Sequence, residues 1–210
     1  MPIKTIILDL DDTIFQTRSM EAKLFEPFFH HLISKLKDNF EQNTIDDIVN
    51  DLWARPIDTV IEKYNIPHTT ITSSIELLEN LDLNLSIKPY QDYDFIRGLQ
   101  IQKFLVTTGL TALQTAKIKA LKIENDFTKI IINDSVIETR TKLDIFKDLI
   151  VEYNLIPETT FVIGDNECSE IKAGNSLNLV TVQILREHVI KGNTAKYHIK
   201  SFKELSTMVD

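Results

Sequence analysis

Along this chain, short unbroken apolar runs alternate with longer stretches whose apolar residues recur every third or fourth position. The first run is residues 3–8, rich in isoleucine and ending in Ile6-Ile7-Leu8. It is too brief for a helix and reads as a strand buried on both faces. It leads directly into Asp9, Asp11 and Asp12. The pattern then changes to the helical one. Met20, Leu24, Phe25, Phe28, Phe29, Leu32, Ile33, Leu36 and Phe40 keep the spacing of a single helix face. Pro27 interrupts it, which predicts a kink or a fresh helix start near Glu26. Thr44 is expected to cap a second helix, with Asp46 and Asp47 in its first turn and Ile45, Ile48, Val49, Leu52 and Trp53 facing inward. Pro56 is expected to open a third, ending at Asn65-Ile66-Pro67. Ser73-Ser74-Ile75-Glu76 fits a capping box ahead of a fourth. Nothing between residues 15 and 88 alternates as a strand does.

From Tyr90 onward strands and helices take turns. Residues 102–108 read as a core strand broken by Gly109, and 111–121 as a helix. A strand at 129–133 is followed by a helix at 142–153, a strand at 160–165, a short helix at 171–177 and a strand at 179–184. This rhythm predicts an α/β fold, a Rossmann-like three-layer core around a parallel sheet that includes the N-terminal strand. The core is expected to comprise residues 1–14 and 89–210. An α-helical unit, 15–88, is inserted after the first strand.

Composition narrows the function without naming it. The 210 residues include 43% hydrophobic and 26% charged residues, enough for a real core. A net charge of −8 argues against a nucleic-acid polymer as partner. A small anionic substrate is compatible with it, because a cation and one lysine can reverse the field inside a cleft. No apolar run is long enough to cross a bilayer. The lone Cys168 excludes an intrachain disulfide and, with no visible signal peptide, leads to the expectation of a soluble cytoplasmic protein.

Four places put polar groups at strand ends or at a helix start, where α/β proteins gather their ligands. They are Asp9 with Asp11, Thr107, Lys142, and the loop from Gly164-Asp165 through Asn166, Ser169 and Glu170. Two carboxylates as close as Asp9 and Asp11 repel each other unless one is protonated or a cation lies between them. A threonine ending a strand or a lysine opening a helix is commonly structural. It is the ordered set of acid pair, hydroxyl, lysine and second acid site that carries meaning.

Asp9-Leu10-Asp11-Asp12-Thr13 resembles the DxDxT signature of the haloacid dehalogenase-like hydrolase superfamily. Leu105-Val106-Thr107-Thr108-Gly109 resembles its second motif, Lys142 its third, and Gly164-Asp165 through Gly174 its fourth. The helical stretch corresponds to the cap of the subgroup with α-helical caps. The sequence departs from many relatives at Ser169, where they carry a further aspartate; Glu170 and Asn166 are the alternatives nearby.

The resemblance implies a magnesium-dependent phosphatase acting on a small phosphorylated metabolite, such as a nucleoside monophosphate or sugar phosphate. It implies Mg2+ held by Asp9, the backbone carbonyl of Asp11, and Asp165, all oxygen donors suited to a hard ion. Thr107, Thr108 and Lys142 then hold the phosphoryl oxygens. Asp9 attacks phosphorus to give an aspartyl-phosphate, and Asp11 exchanges the proton. Haloacid dehalogenases lack the second aspartate, so Asp11 argues against that reaction. A receiver-type phosphoacceptor calls for a shorter chain. A sugar-phosphate mutase on the same core, or a non-catalytic phosphate or metal binder, stand as alternatives.

Other features read as structural. His30-His31 has no partner histidine at metal-ligand spacing. Cys168 reads as packing, since magnesium prefers oxygen to sulfur. Phe25, Phe28, Phe29 and Phe40 read as core of the helical unit. Gln16, Arg18 and Arg55 are candidates to reach a substrate.

Overall fold

In this computed structural model residues 2–209 are described apart from Ala54, Pro56, Ser135 and Glu138. The first strand, β1 (Thr5–Leu8), is buried at all four positions. It is followed by α1 (Glu26–Leu36), α2 (Gln42–Leu52), α3 (Ile57–Tyr64) and α4 (His68–Glu79). The short α5 (Tyr93–Gly98) leads into β2 (Gln102–Thr108), α6 (Thr111–Leu121), β3 (Lys129–Asn133) and α7 (Lys142–Tyr153). Then come β4 (Thr160–Gly164), α8 (Lys172–Ser176), β5 (Val180–Ile184), β6 (Tyr197–Ile199) and α9 (Ser206–Val209). Among the described residues no helix is long and apolar enough to cross a membrane.

All six strands are parallel, in the order β3-β2-β1-β4-β5-β6. β1 lies between β2 and β4, with Leu8 level with both Leu105 and Ile163. Asp9 and Asp165, just past the carboxyl ends of β1 and β4, therefore emerge beside Thr107, near the end of the neighbouring β2. The alternation of a strand sends Ile7 to one face, where it packs with Phe104, Val106, Val162 and Phe146 of α7. Ile6 and Leu8 go to the other face with Leu105, Ile163, Ile118 and Leu121.

Several helix starts differ from expectation. A fresh helix does begin at Glu26, with Pro27 in its first turn, where a missing N–H costs nothing. α2 begins two residues ahead of Thr44, after extended Glu41, and is supported by a bond from Gln42 to Asp46 one turn on. The expected start at Pro56 lies outside the described residues. The capping box at 73–76 is absent: those residues are inside α4, which starts after Pro67. Ile71, Ile75 and Leu78 form its buried stripe. The helix expected at 171–177 is the five-residue α8, preceded by a wide π-turn at Glu167–Ile171.

The two connections joining the helices to the sheet are tied together. Tyr90 N donates to Ile14 O at 2.8 Å. The nearly buried Arg186 guanidinium donates to Thr13 O at 2.9 Å and to Asp92 at 2.8 and 3.1 Å, and stacks 4.0 Å from the Tyr90 ring.

Candidate active site

After Leu8 the backbone turns sharply, and Asp12 takes a left-handed conformation that aspartate tolerates better than most residues. Its carboxylate accepts from Thr17 N at 2.9 Å, closing the turn. The turn leaves Asp9 buried at 7% exposure and Asp11 beside it. Lys142 comes from the first turn of α7, whose start is fixed by a reciprocal bond pair between Thr141 and Asp144. Its ammonium bridges Asp9 Oδ1 at 2.6 Å and Glu170 Oε2 at 2.8 Å, all three groups being buried. Glu170 Oε1 accepts from Asn166 N at 2.7 Å. Gly164 makes room for this carboxylate: a Cβ there would lie 2.2 Å from Glu170 Oε1.

Asp9, Asp165 and Glu170 each offer an oxygen within 4.8 Å of the other two. Three carboxylates and one lysine leave this pocket with excess negative charge. Burial pushes the Asp9 carboxyl up to about 7, Glu170 adding to the rise and Lys142 opposing it. Asp165 is pushed up to about 9, by burial first and then by Glu170 and Asp9. Lys142 is raised as well: burial works against its charge, but its two carboxylate partners, Asp9 and Glu170, outweigh burial and hold it above the ordinary lysine value. No hydrogen bond reaches the Asp165 carboxylate from any described residue. A converging set of hard oxygen donors, one of them unpaired, suits a divalent cation.

Asp11 has a cage of its own. Lys117 Nζ donates to its Oδ1 at 2.7 Å, Gln114 Nε2 to its Oδ2 at 2.8 Å, and Thr17 Oγ1 to Oδ1 at 3.2 Å. Gln114 also donates to Thr107 Oγ1. Gln114 and Lys117 both come from α6, whose start is held by Asp134, which accepts from Thr111 N at 2.8 Å. Gly109, at φ +152°, lets Gln114 come close; a Cβ there would meet its Cδ at 3.1 Å.

Asp9, Asp11, Thr107, Thr108, Lys142 and Asp165 all line one cavity of about 200 Å³, together with Asn166, Ser169 and Glu170. Of the alternatives near Asp165, Glu170 joins the carboxylates, whereas the Asn166 side chain accepts from Cys168 N. Among Gln16, Arg18 and Arg55, Arg55 lines the cavity. Cys168 is exposed, correcting its reading as packing. His31 bonds Ser73 at 3.0 Å between α1 and α4, a packing role. Gln114 and Lys117 went unread in the sequence, although a signal existed. They share a helix face with Ile118 and Leu121, so a glutamine and a lysine intrude on a buried stripe.

Residues 6–184 match the model of the haloacid dehalogenase-like hydrolase family. The chain is 25% identical over 224 residues to glyceraldehyde 3-phosphate phosphatase of Methanocaldococcus jannaschii, covering 99% of this chain and 97% of that one. Among solved structures it is similar to the HAD-hydrolase YfnB from Bacillus subtilis bound to magnesium, a structure described as revealing interdomain movement. The TM-score is 0.66 at 18% identity, with 100% of both chains covered. A HAD phosphatase from Thermococcus onnurineus also gives a TM-score of 0.66 at 18% identity, over 99% of this chain and 98% of that one. Likeness at these identities concerns the fold.

Proposed function

This chain belongs to the haloacid dehalogenase-like hydrolase family, and we propose that it is a magnesium-dependent phosphatase hydrolysing a small phosphorylated metabolite through an aspartyl-phosphate. The observation that carries the reading is the convergence of Asp9, Asp165 and Glu170 around Lys142, with Asp11 caged separately in the same cavity. The likeness to a phosphatase along nearly the whole chain supports it.

Asp9, Asp165 and the backbone carbonyl of Asp11 would hold the magnesium ion. When bound, the ion supplies positive charge that returns the carboxylates to their ionised state and offsets the charge of the phosphate. Asp9 is the nucleophile, and Lys142 orients its Oδ1 while screening it from the incoming dianion. Gln114 donates to Thr107 Oγ1, so the threonine hydroxyl hydrogen is free to be donated to a phosphoryl oxygen. Thr108 lies beside it. Such positioning and charge stabilisation are most of what phosphoryl transfer asks of a protein. Asp11 stands apart from the Lys142 cluster and is held by Lys117, Gln114 and Thr17. It gives a proton to the leaving oxygen, then takes one from the water that hydrolyses the aspartyl-phosphate.

Residues 15–88 act as a cap above the acids, hinged near 14–18 and 86–91, where Arg186 ties the two connections. Opening admits the ester and closure excludes bulk water. We place the protein in the cytoplasm, on its single free cysteine.

A panel of phosphorylated metabolites assayed for phosphate release with and without magnesium tests the proposal. Turnover of at least one ester is expected, lost in excess EDTA and restored by Mg2+. Full turnover in excess EDTA refutes it.

A further inference from the structure

The catalytic acids open into a chamber whose wall from residues 15–88 is mostly apolar. Ten of the described residues lining the cavity come from 15–88, and eight of these are apolar. The two polar ones are Thr17 and Arg55. Thr17 is already committed to Asp11 and Asp12, and Arg55 is an exposed side chain paired with Asp51 at 3.5 Å. Phe29 and Trp53 stack at 5.5 Å with 29° between their planes, and Phe25 meets the Trp53 edge at 5.4 Å. The sheet side contributes Leu110 and Leu113, at the start of α6, to the same cavity. Phe25 and Phe29, read in the sequence as core of the helical unit, thus serve both that core and the chamber.

On this side of the chamber the hydroxyls of a polyhydroxylated organic part would find few partners beyond Arg55 and the Trp53 indole N–H, and each hydroxyl buried without one is unfavourable. A flat apolar group would instead lie against aromatic side chains on one side and leucines on the other. Resting on the phosphatase reading above, we infer that the preferred substrate is the phosphate monoester of an alcohol bearing an aromatic or similarly flat apolar group. The three-carbon substrate named for the archaeal relative would leave those walls unused.

The test compares two esters of primary alcohols, so that leaving-group chemistry is alike: 2-phenylethyl phosphate and glycerol 1-phosphate. With magnesium, kcat/KM should favour the phenylethyl ester by about tenfold or more. Trp53→Ala and Phe29→Ala should each shrink that ratio, and Trp53→Phe should keep most of it. Equal or better turnover of glycerol 1-phosphate overturns the inference. If neither ester nor para-nitrophenyl phosphate turns over, the phosphatase reading has failed, and the chamber is judged by binding alone. Calorimetry with 2-phenylethylphosphonate and 2,3-dihydroxypropylphosphonate should show about tenfold tighter binding of the former. Equal affinities overturn the inference whatever the catalytic result.

Discussion

Replacing Asp165 by Asn should make the metal-free protein more stable while removing its response to magnesium. The three acids of the cluster offer oxygens within 4.8 Å of one another. At that distance each like-charge contact costs about 3 kcal/mol at an effective dielectric near 20. Lys142 and the partial solvent exposure of Asp165 offset most of this, leaving about 1–2 kcal/mol of relief. The sign follows from the direction of the shifts. Asp165 is raised to about 9 and Asp9 to about 7, from 3.8. The folded protein therefore keeps protons that the unfolded chain releases near pH 4, so the stability linked to them falls progressively from about pH 4 upward, the loss being complete above about 7 for Asp9 and about 9 for Asp165. Near pH 4 the two proteins should melt alike, because the wild-type carboxyl is then protonated in the fold. Near pH 8.5 in EDTA the variant should melt about 2–8 °C higher. Millimolar magnesium should raise the wild-type melting temperature and leave the variant nearly unmoved. Differential scanning calorimetry across this pH range, with and without magnesium, reads all of it. A variant less stable than wild type at pH 8.5 in EDTA would refute the view that Asp165 is kept for a cation at the expense of stability.

Two further outcomes follow from groups outside that cluster. Lys117→Met removes the 2.7 Å ammonium contact to Asp11. A bond of this kind is worth about 1.5–3 kcal/mol, or about 10- to 100-fold in rate, and the partial exposure of Asp11 favours the lower end. kcat on esters of primary alcohols should fall by about tenfold, para-nitrophenyl phosphate should be affected less because its leaving group needs no proton, and Lys117→Arg should recover part of the loss. Equal losses on both esters would mean that Lys117 does not act through proton transfer. Arg186→Met leaves Asp92 without its cation and Thr13 O without its donor; a loss of about 3 kcal/mol or more is expected, seen as a fall in melting temperature of about 6 °C or more. A change within 2 °C would contradict the tie between the two connections.

The elements read best from sequence were those where local and tertiary signals agree. α6, β3 and α7 have the expected bounds because apolar runs, a glycine break and the Thr141–Asp144 cap act together. Among the inserted helices local signals compete. Ser73 and Ser74 could cap a helix, but Pro67 and the stripe Ile71, Ile75 and Leu78 start it earlier. β6 escaped notice because Tyr197-His198-Ile199 is a three-residue edge strand with no apolar run. The motif residues were legible since their order alone brings them to neighbouring strand ends. The cage around Asp11 was not, because Gln114 and Lys117 gain meaning only once α6 is laid across the sheet beside β1. The chamber was hidden for a related reason: a phenylalanine facing a helix partner and one facing a substrate look the same in a periodic pattern.

Hydrolysis through an aspartyl-phosphate requires that Asp9 become covalently phosphorylated during turnover. The most direct measurement is rapid acid quench of enzyme turning over an active ester with magnesium, followed by borohydride reduction and mass spectrometry of the peptide containing Asp9. Conversion of Asp9 to homoserine is expected in the wild type, with none in Asp9→Asn. An unmodified Asp9 throughout rapid turnover, or reduction at another carboxylate in its place, would contradict it.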